Sequence, residues 1–156
     1  MQDTEKQAII GQLAPKLKAL MAAPIRLRNI GDQAEGWVPV LGECHRNVDR
    51  WIADHPDDRA VRGWISTQNT APWGFDQFSS HSVVQTPTGE LIDVTLPQSE
   101  RHHDFVRHPG TEAEFLDLVA NNGCPWIHIA LDGPDPRIQQ FTELLVSAEE
   151  GDQRPL

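Results

Sequence analysis

A chain of 156 residues is long enough to bury one core, and no stretch of it is apolar enough to span a bilayer, so a single soluble domain is expected. With 13 basic against 23 acidic side chains the formal charge is −10, which argues against attraction to nucleic acid or to an anionic membrane surface. The 2 cysteines are too few for a disulfide framework, and the start lacks the basic, apolar and small-residue succession of a secretory leader, so a cytoplasmic location with free thiols is the default expectation.

In chain order, Thr4 and Gln7 have capping-box spacing, and Ile9, Ile10, Leu13, Leu17 and Leu20 recur at helical intervals, which predicts an amphipathic first helix kinked or split at Pro15. Pro, Gly and short apolar runs between Pro24 and Gly42 predict an extended connection. From Cys44 a second helix is predicted, with Cys44, Val48, Trp51, Ile52 and His55 on one stripe, ending where His55 meets Pro56. The runs AVRGWIS, HSVVQT and ELIDVT read as strands, and Pro87-Thr88-Gly89 joins the last two as a hairpin. The polar stretch STQNTAPWGFDQFSS before His81 reads as a loop that gates a cleft. Thr111 and Glu114 form a second capping box ahead of a helix stopped at Asn122-Gly123. Trp126 to Leu131 reads as a buried strand, Pro136 opens a last helix carrying Ile138, Phe141, Leu144 and Leu145, and EEGDQRPL reads as a frayed tail. The expected organisation is one α+β domain over 1–148 and a flexible acidic tail over 149–156.

Cys44, His81 and Asp93 supply a complete set for nucleophilic catalysis. A thiol needs an imidazole to become a thiolate, and the imidazole needs a carboxylate to fix its tautomer. Cys44 opens a helix, where free N–H groups and the dipole lower a thiol's pKa, and Gly42 permits a tight entry. Asp93 interrupts the apolar run Leu91, Ile92, Val94, and a carboxylate on the buried side of a strand requires a partner. Side chains alternate faces along a strand, so His81 and Asp93 share a face only when paired residue numbers sum to an even total. A two- or four-residue loop makes the total odd; a three-residue loop or a bulge at Gly89 makes it even, and that is the expectation.

Within residues 37–97, a cysteine opening a helix in ECHRNV, then a histidine starting a strand in SSHSVV, then an aspartate on the next strand in GELIDVT resembles the papain-like superfamily. The order is closest to its transglutaminase-like and arylamine N-acetyltransferase branch. The resemblance implies a central cysteine-bearing helix packed on a small antiparallel sheet, with flanking N- and C-terminal helices. It also implies Cys44 as nucleophile, His81 as base and then acid, Asp93 as orienting group, and no cofactor. For the oxyanion position, the resemblance offers Gln33, by analogy with papain's glutamine, or Trp37, by analogy with the transglutaminase tryptophan. Asn47, one turn after the cysteine, is a candidate for orienting a substrate carbonyl, and Trp64 and Trp73 for lining a groove, while Trp51 and Trp126 read as core.

The expected function is a cysteine-dependent amide hydrolase (peptidase, amidase or protein deamidase) acting on a peptide or protein amide. Transfer to an amine, or a non-catalytic binding module on the same fold, are the alternatives. A metal site built from Cys44, His45, His102, His103, His108, Cys124 and His128 is disfavoured, because none of these falls in a CxxC pair or an HExxH helix.

Overall fold

The computed structural model describes residues 3–67, 75–120 and 126–130. The alternating segments form a seven-stranded mixed sheet of β1 (Ile25–Arg26), β2 (Arg28–Asn29), β3 (Arg59–Thr67), β4 (Phe75–Gln85), β5 (Leu91–Asp93), β6 (Asp104–Arg107) and β7 (Trp126–Ala130). Among the described residues three α-helices accompany it: α1 (Asp3–Leu20), α2 (Cys44–Asp54) and α3 (Glu112–Ala120). The fold is α+β, and no helix among these residues is long and apolar enough to cross a membrane.

Strand order runs β1-β6-β3-β4-β5-β2, with β7 added to β4. Leu27 alone separates β1 from β2, so one short segment bonds both ends of the sheet and draws it into a nearly closed ring. Ile25 and Arg26 pair antiparallel with β6, while Arg28 and Asn29 pair in parallel with β5. Inside the ring, Leu27, Val61, Val83, Leu91 and Phe105 form one buried cluster. Residues of the opposite parity face the helices. Val84 and Ile92 pack on Val48 and Trp51 of α2, and Trp64, Phe78 and Val106 pack on Leu13 and Leu17 of α1 and Phe115 and Leu118 of α3.

Several local expectations are met by the backbone. Thr111 Oγ1 accepts from the Glu114 N–H and Glu114 Oε2 accepts from the Thr111 N–H, the reciprocal pair that opens α3. The Gln85–Leu91 pairing and the Thr86 N–H to Glu90 carbonyl bond leave Pro87, Thr88 and Gly89 as a three-residue loop, with Gly89 at φ 89°. Val84 pairs with Ile92, an even total, so His81 and Asp93 share one face of the hairpin.

Others are corrected. Pro15 does not split α1, because Leu13 and Leu17 on either side of it are both buried in one cluster and their packing outweighs the lost hydrogen bond. Thr4 is within that helix and not its cap, and Ile9 and Leu20 are exposed, which narrows the apolar stripe. The supposed gating loop is strand at both ends: Ser66 and Thr67 close β3 and Phe75–Ser80 belong to β4, where pairing on both edges overrides a polar composition. Its centre, with Trp73, lies outside the described residues, as do Cys124, the Asn122-Gly123 stop, the helix from Pro136 and the tail.

Gly63 stands opposite His81 in the β3–β4 pairing, and a Cβ there would meet the Val106 carbonyl and the Phe105 ring. Gly63→Ala should therefore cost about 3 kcal/mol, measured as a lower midpoint in urea denaturation.

Candidate active site

The site forms where β4 changes partners. On one edge β4 pairs with β7 through Ser79 and with β5 from Val84 onward, so among the described residues no strand pairs with residues 80–83 on that edge. The N-terminus of α2 meets β4 at this place: His45 Nδ1 lies 2.6 Å from Ser82 Oγ, and Cys44 and His81 are near enough for each to shift the other's titration.

Cys44 is the first residue of α2, entered through Gly42 at φ 84° and an N-cap Glu43 whose side chain makes no capping bond. That leaves the first N–H groups of the helix free of a side-chain cap. The thiol is largely enclosed, retaining 7 % exposure. Burial pushes its pKa up, but the contact with His45, the interaction with His81 and the charges of both imidazoles outweigh this and bring it down to about 5.

His81 Nε2 donates to Asp93 Oδ2 at 2.7 Å. Burial pulls the imidazole down, yet its bond to Asp93, its interaction with the nearby thiol and the charges of both raise it to about 10, which favours a thiolate beside an imidazolium. Asp93 is 1 % exposed, and its other oxygen accepts from the backbone N–H groups of Thr95 (2.8 Å) and Leu96 (3.2 Å). Burial raises this carboxyl, and the His81 bond and charge with the two backbone donors bring it below its ordinary range.

The three residues singled out for their chemistry are thus brought together; the surrounding candidates are not. Asn47 is a clamp: its Oδ1 accepts from the Val40 N–H, while its Nδ2 donates to the Val40 carbonyl (2.8 Å) and to Thr95 Oγ1 (3.0 Å). With these bonds made, it has no amide free to orient a substrate. Trp64 is fully buried on the opposite face from His81, donating to His108 Nδ1 and packing against Phe115, so it lines core and no groove. Trp37 is partly buried against the Ile30, Val48 and Trp51 cluster, Gln33 is exposed in a 3-10 turn, and no described contact ties either to the thiol. Trp51 is core as expected, stacked on His55 and bonded to Asp58. No family model matches the chain, and no curated protein or solved structure matches it significantly.

Sequence reasoning missed the groups behind the thiol. His45 Nδ1 lies 3.8 Å from Cys44 Sγ, and Ser82 Oγ also accepts from Arg62 at 2.9 Å. The buried Arg62 guanidinium reaches Asp49 of α2 (2.8 Å) and Glu112 of α3 (3.0 Å). Nothing at the level of motif marks these residues; only the alternation of β3 and β4 places Arg62 and Ser82 opposite one another. The two adjacent histidines before β6 divide: His102 Nδ1 donates to the Leu27 carbonyl, while His103 is half-buried and held below its ordinary value by burial and by the charge on His81. No group of three or more metal-binding side chains occurs among the described residues.

Alkylation requires the thiolate, so the rate at Cys44 should climb as pH rises through about 5, not near the ordinary thiol value. Asp93→Asn removes the charge that favours imidazolium, and should move this onset to higher pH in a pH series of iodoacetamide labelling read by peptide mass.

Proposed function

We propose that the protein is a cysteine-dependent amide hydrolase that works through a thioester acyl-enzyme, with a papain-like, transglutaminase-like arrangement of its chemistry. The observation that carries this reading is the His81–Asp93 hydrogen bond beside a helix-N-terminal Cys44 whose thiol is electrostatically coupled to His81. Each member has the environment its role requires: a depressed thiol, a raised imidazole and a carboxylate fixed by two backbone donors.

In this reading the Cys44 thiolate adds to an amide carbonyl carbon, and the oxyanion is met by the uncapped N–H groups at the start of α2. The C–N bond then breaks as His81 gives its proton to the leaving nitrogen. His81, now neutral, takes a proton from water as it attacks the thioester. Collapse releases the carboxylic acid and restores the thiolate and imidazolium. Capture of the same thioester by an amine would give transfer in place of hydrolysis. Neither outcome needs a cofactor. The substrate class is a peptide or protein amide, and the exposed side chains of Val38, Val40 and Leu41 offer its flank an apolar surface just before the nucleophile.

Labelling tests the reading without knowledge of the natural substrate. At pH 6 the thiolate fraction favours a thiol titrating near 5 over an ordinary one by about 300-fold, and the lower intrinsic nucleophilicity of the former leaves roughly tenfold. Iodoacetamide should therefore modify Cys44 about tenfold faster than Cys124 at pH 6, and His81→Ala should abolish the preference. Equal and slow labelling of the two cysteines would leave a binding module as the better description.

A further inference from the structure

Nucleophilic attack with His81 as partner leaves a second imidazole on the same sulfur without a role. His45 directly follows Cys44, is partly buried, and packs edge-on against Phe115 with ring centroids 5.6 Å apart. Its Nδ1 faces both Cys44 Sγ (3.8 Å) and Ser82 Oγ (2.6 Å). We propose that His45 is a positioning residue for the Cys44 thiolate, sharing one Nδ1–H between Sγ and Ser82 Oγ and so holding the sulfur toward His81. This rests on the reading of Cys44 as the nucleophile and adds a second holder of its negative charge.

The direction of the hydrogen bonds follows from the donor inventory. A guanidinium only donates, so Arg62 occupies one lone pair of Ser82 Oγ. The hydroxyl then has one lone pair and one hydrogen left. If it gave that hydrogen to His45 Nδ1, the ring would turn a filled lone pair toward the thiolate. If Nδ1 carries the hydrogen, oxygen and sulfur both accept from it, and the serine hydrogen turns away. A negative sulfur selects the second arrangement. Once the sulfur is acylated and neutral, that selection disappears and the hydroxyl is free to rotate and donate to the ring.

Ser82 is held in turn by a buried framework. Arg62 sits between Asp49, Glu112 and Ser82, tying α2, α3 and β4 together at this point. Beyond the two groups that His45 Nδ1 faces lie His81, coupled to Cys44, and Arg62, which bonds Ser82 and is itself paired with Asp49 of α2 and Glu112 of α3, with His108 edge-on to the same Phe115 ring. The guanidinium is matched by two carboxylates, which leaves the imidazole free to serve the sulfur.

The test is the pH–rate profile of iodoacetamide labelling at Cys44 in the full chain, with folding verified by circular dichroism. His45→Phe keeps a ring against Phe115 and removes the N–H; His45→Asn places an amide N–H at the Nδ1 position. Loss of a hydrogen bond to a charged sulfur should raise the midpoint by about one pH unit in His45→Phe. His45→Asn should stay near wild type, and Ser82→Ala should leave the midpoint unchanged or lower, since the sulfur then has the N–H to itself. A wild-type midpoint in His45→Phe, or a rise in Ser82→Ala as large as that in His45→Phe, would overturn the proposal. Should the unaltered protein label only at the pH of an ordinary thiol, it is the nucleophile reading that fails, a separate outcome from unchanged behaviour in the His45 variants.

Discussion

The bond from His81 to Asp93 is the constraint around which the rest is arranged. A carboxylate with 1 % exposure is costly unless its oxygens are occupied, and here one takes the imidazole N–H while the other takes two backbone donors. Those donors belong to Thr95 and Leu96, where the chain leaves β5, so the end of the strand and the charge of the site are fixed by the same hydrogen bonds. Thr95 also accepts from Asn47 of α2, and Asn47 grips the backbone of Val40. Carboxylate, helix and approach segment are therefore joined through a buried polar chain.

The same economy appears on the other side of the thiol. Edge pairing of β4 to β7 at one end and to β5 at the other leaves its middle open to the helix, and residues of both parities are used there: His81 toward Asp93, Ser82 toward His45 and Arg62. A regular sheet edge would have closed that space. Asp93 and His81 share their parity with the ring interior, whereas Val48 and Trp51 pack the body of α2 on the outer face, so the helix touches both faces only through its first turn.

Much of this was legible in the sequence because it is local. The stripe from Cys44 to His55, the Thr111–Glu114 box and the parity set by Pro87-Thr88-Gly89 each depend on residues a few positions apart, and each reads directly into backbone geometry. What was not legible depends on distant pairing. β1 and β2 have two residues apiece, and β6 has four, of which the first and last are charged, so no period betrays them. The polar FDQFSS becomes strand because β3 and β7 both claim it. Arg62 and Ser82 look like solvent-facing strand residues until two helices cover them, and Trp64 and Asn47 were misjudged because fitness for a groove cannot be told from fitness for a core or a clamp by residue type alone.

The segment from Ile25 to Gly31 has a consequence for how the molecule assembles. It joins β6 and β5, whose sequence separation from it is large, and it also fastens the neighbourhood of the carboxylate: the Ile30 N–H bonds to the Asp93 carbonyl and the Gly31 N–H to the Leu96 carbonyl. Contacts of such long range close large loops, so they carry more chain-entropy cost than the β3–β4 and β4–β5 pairings of neighbours in sequence. The Asp93 carboxylate itself takes all its partners from residues 81–96, so opening of this tie would loosen the backbone around the site while leaving the acid on its imidazole and its two backbone donors.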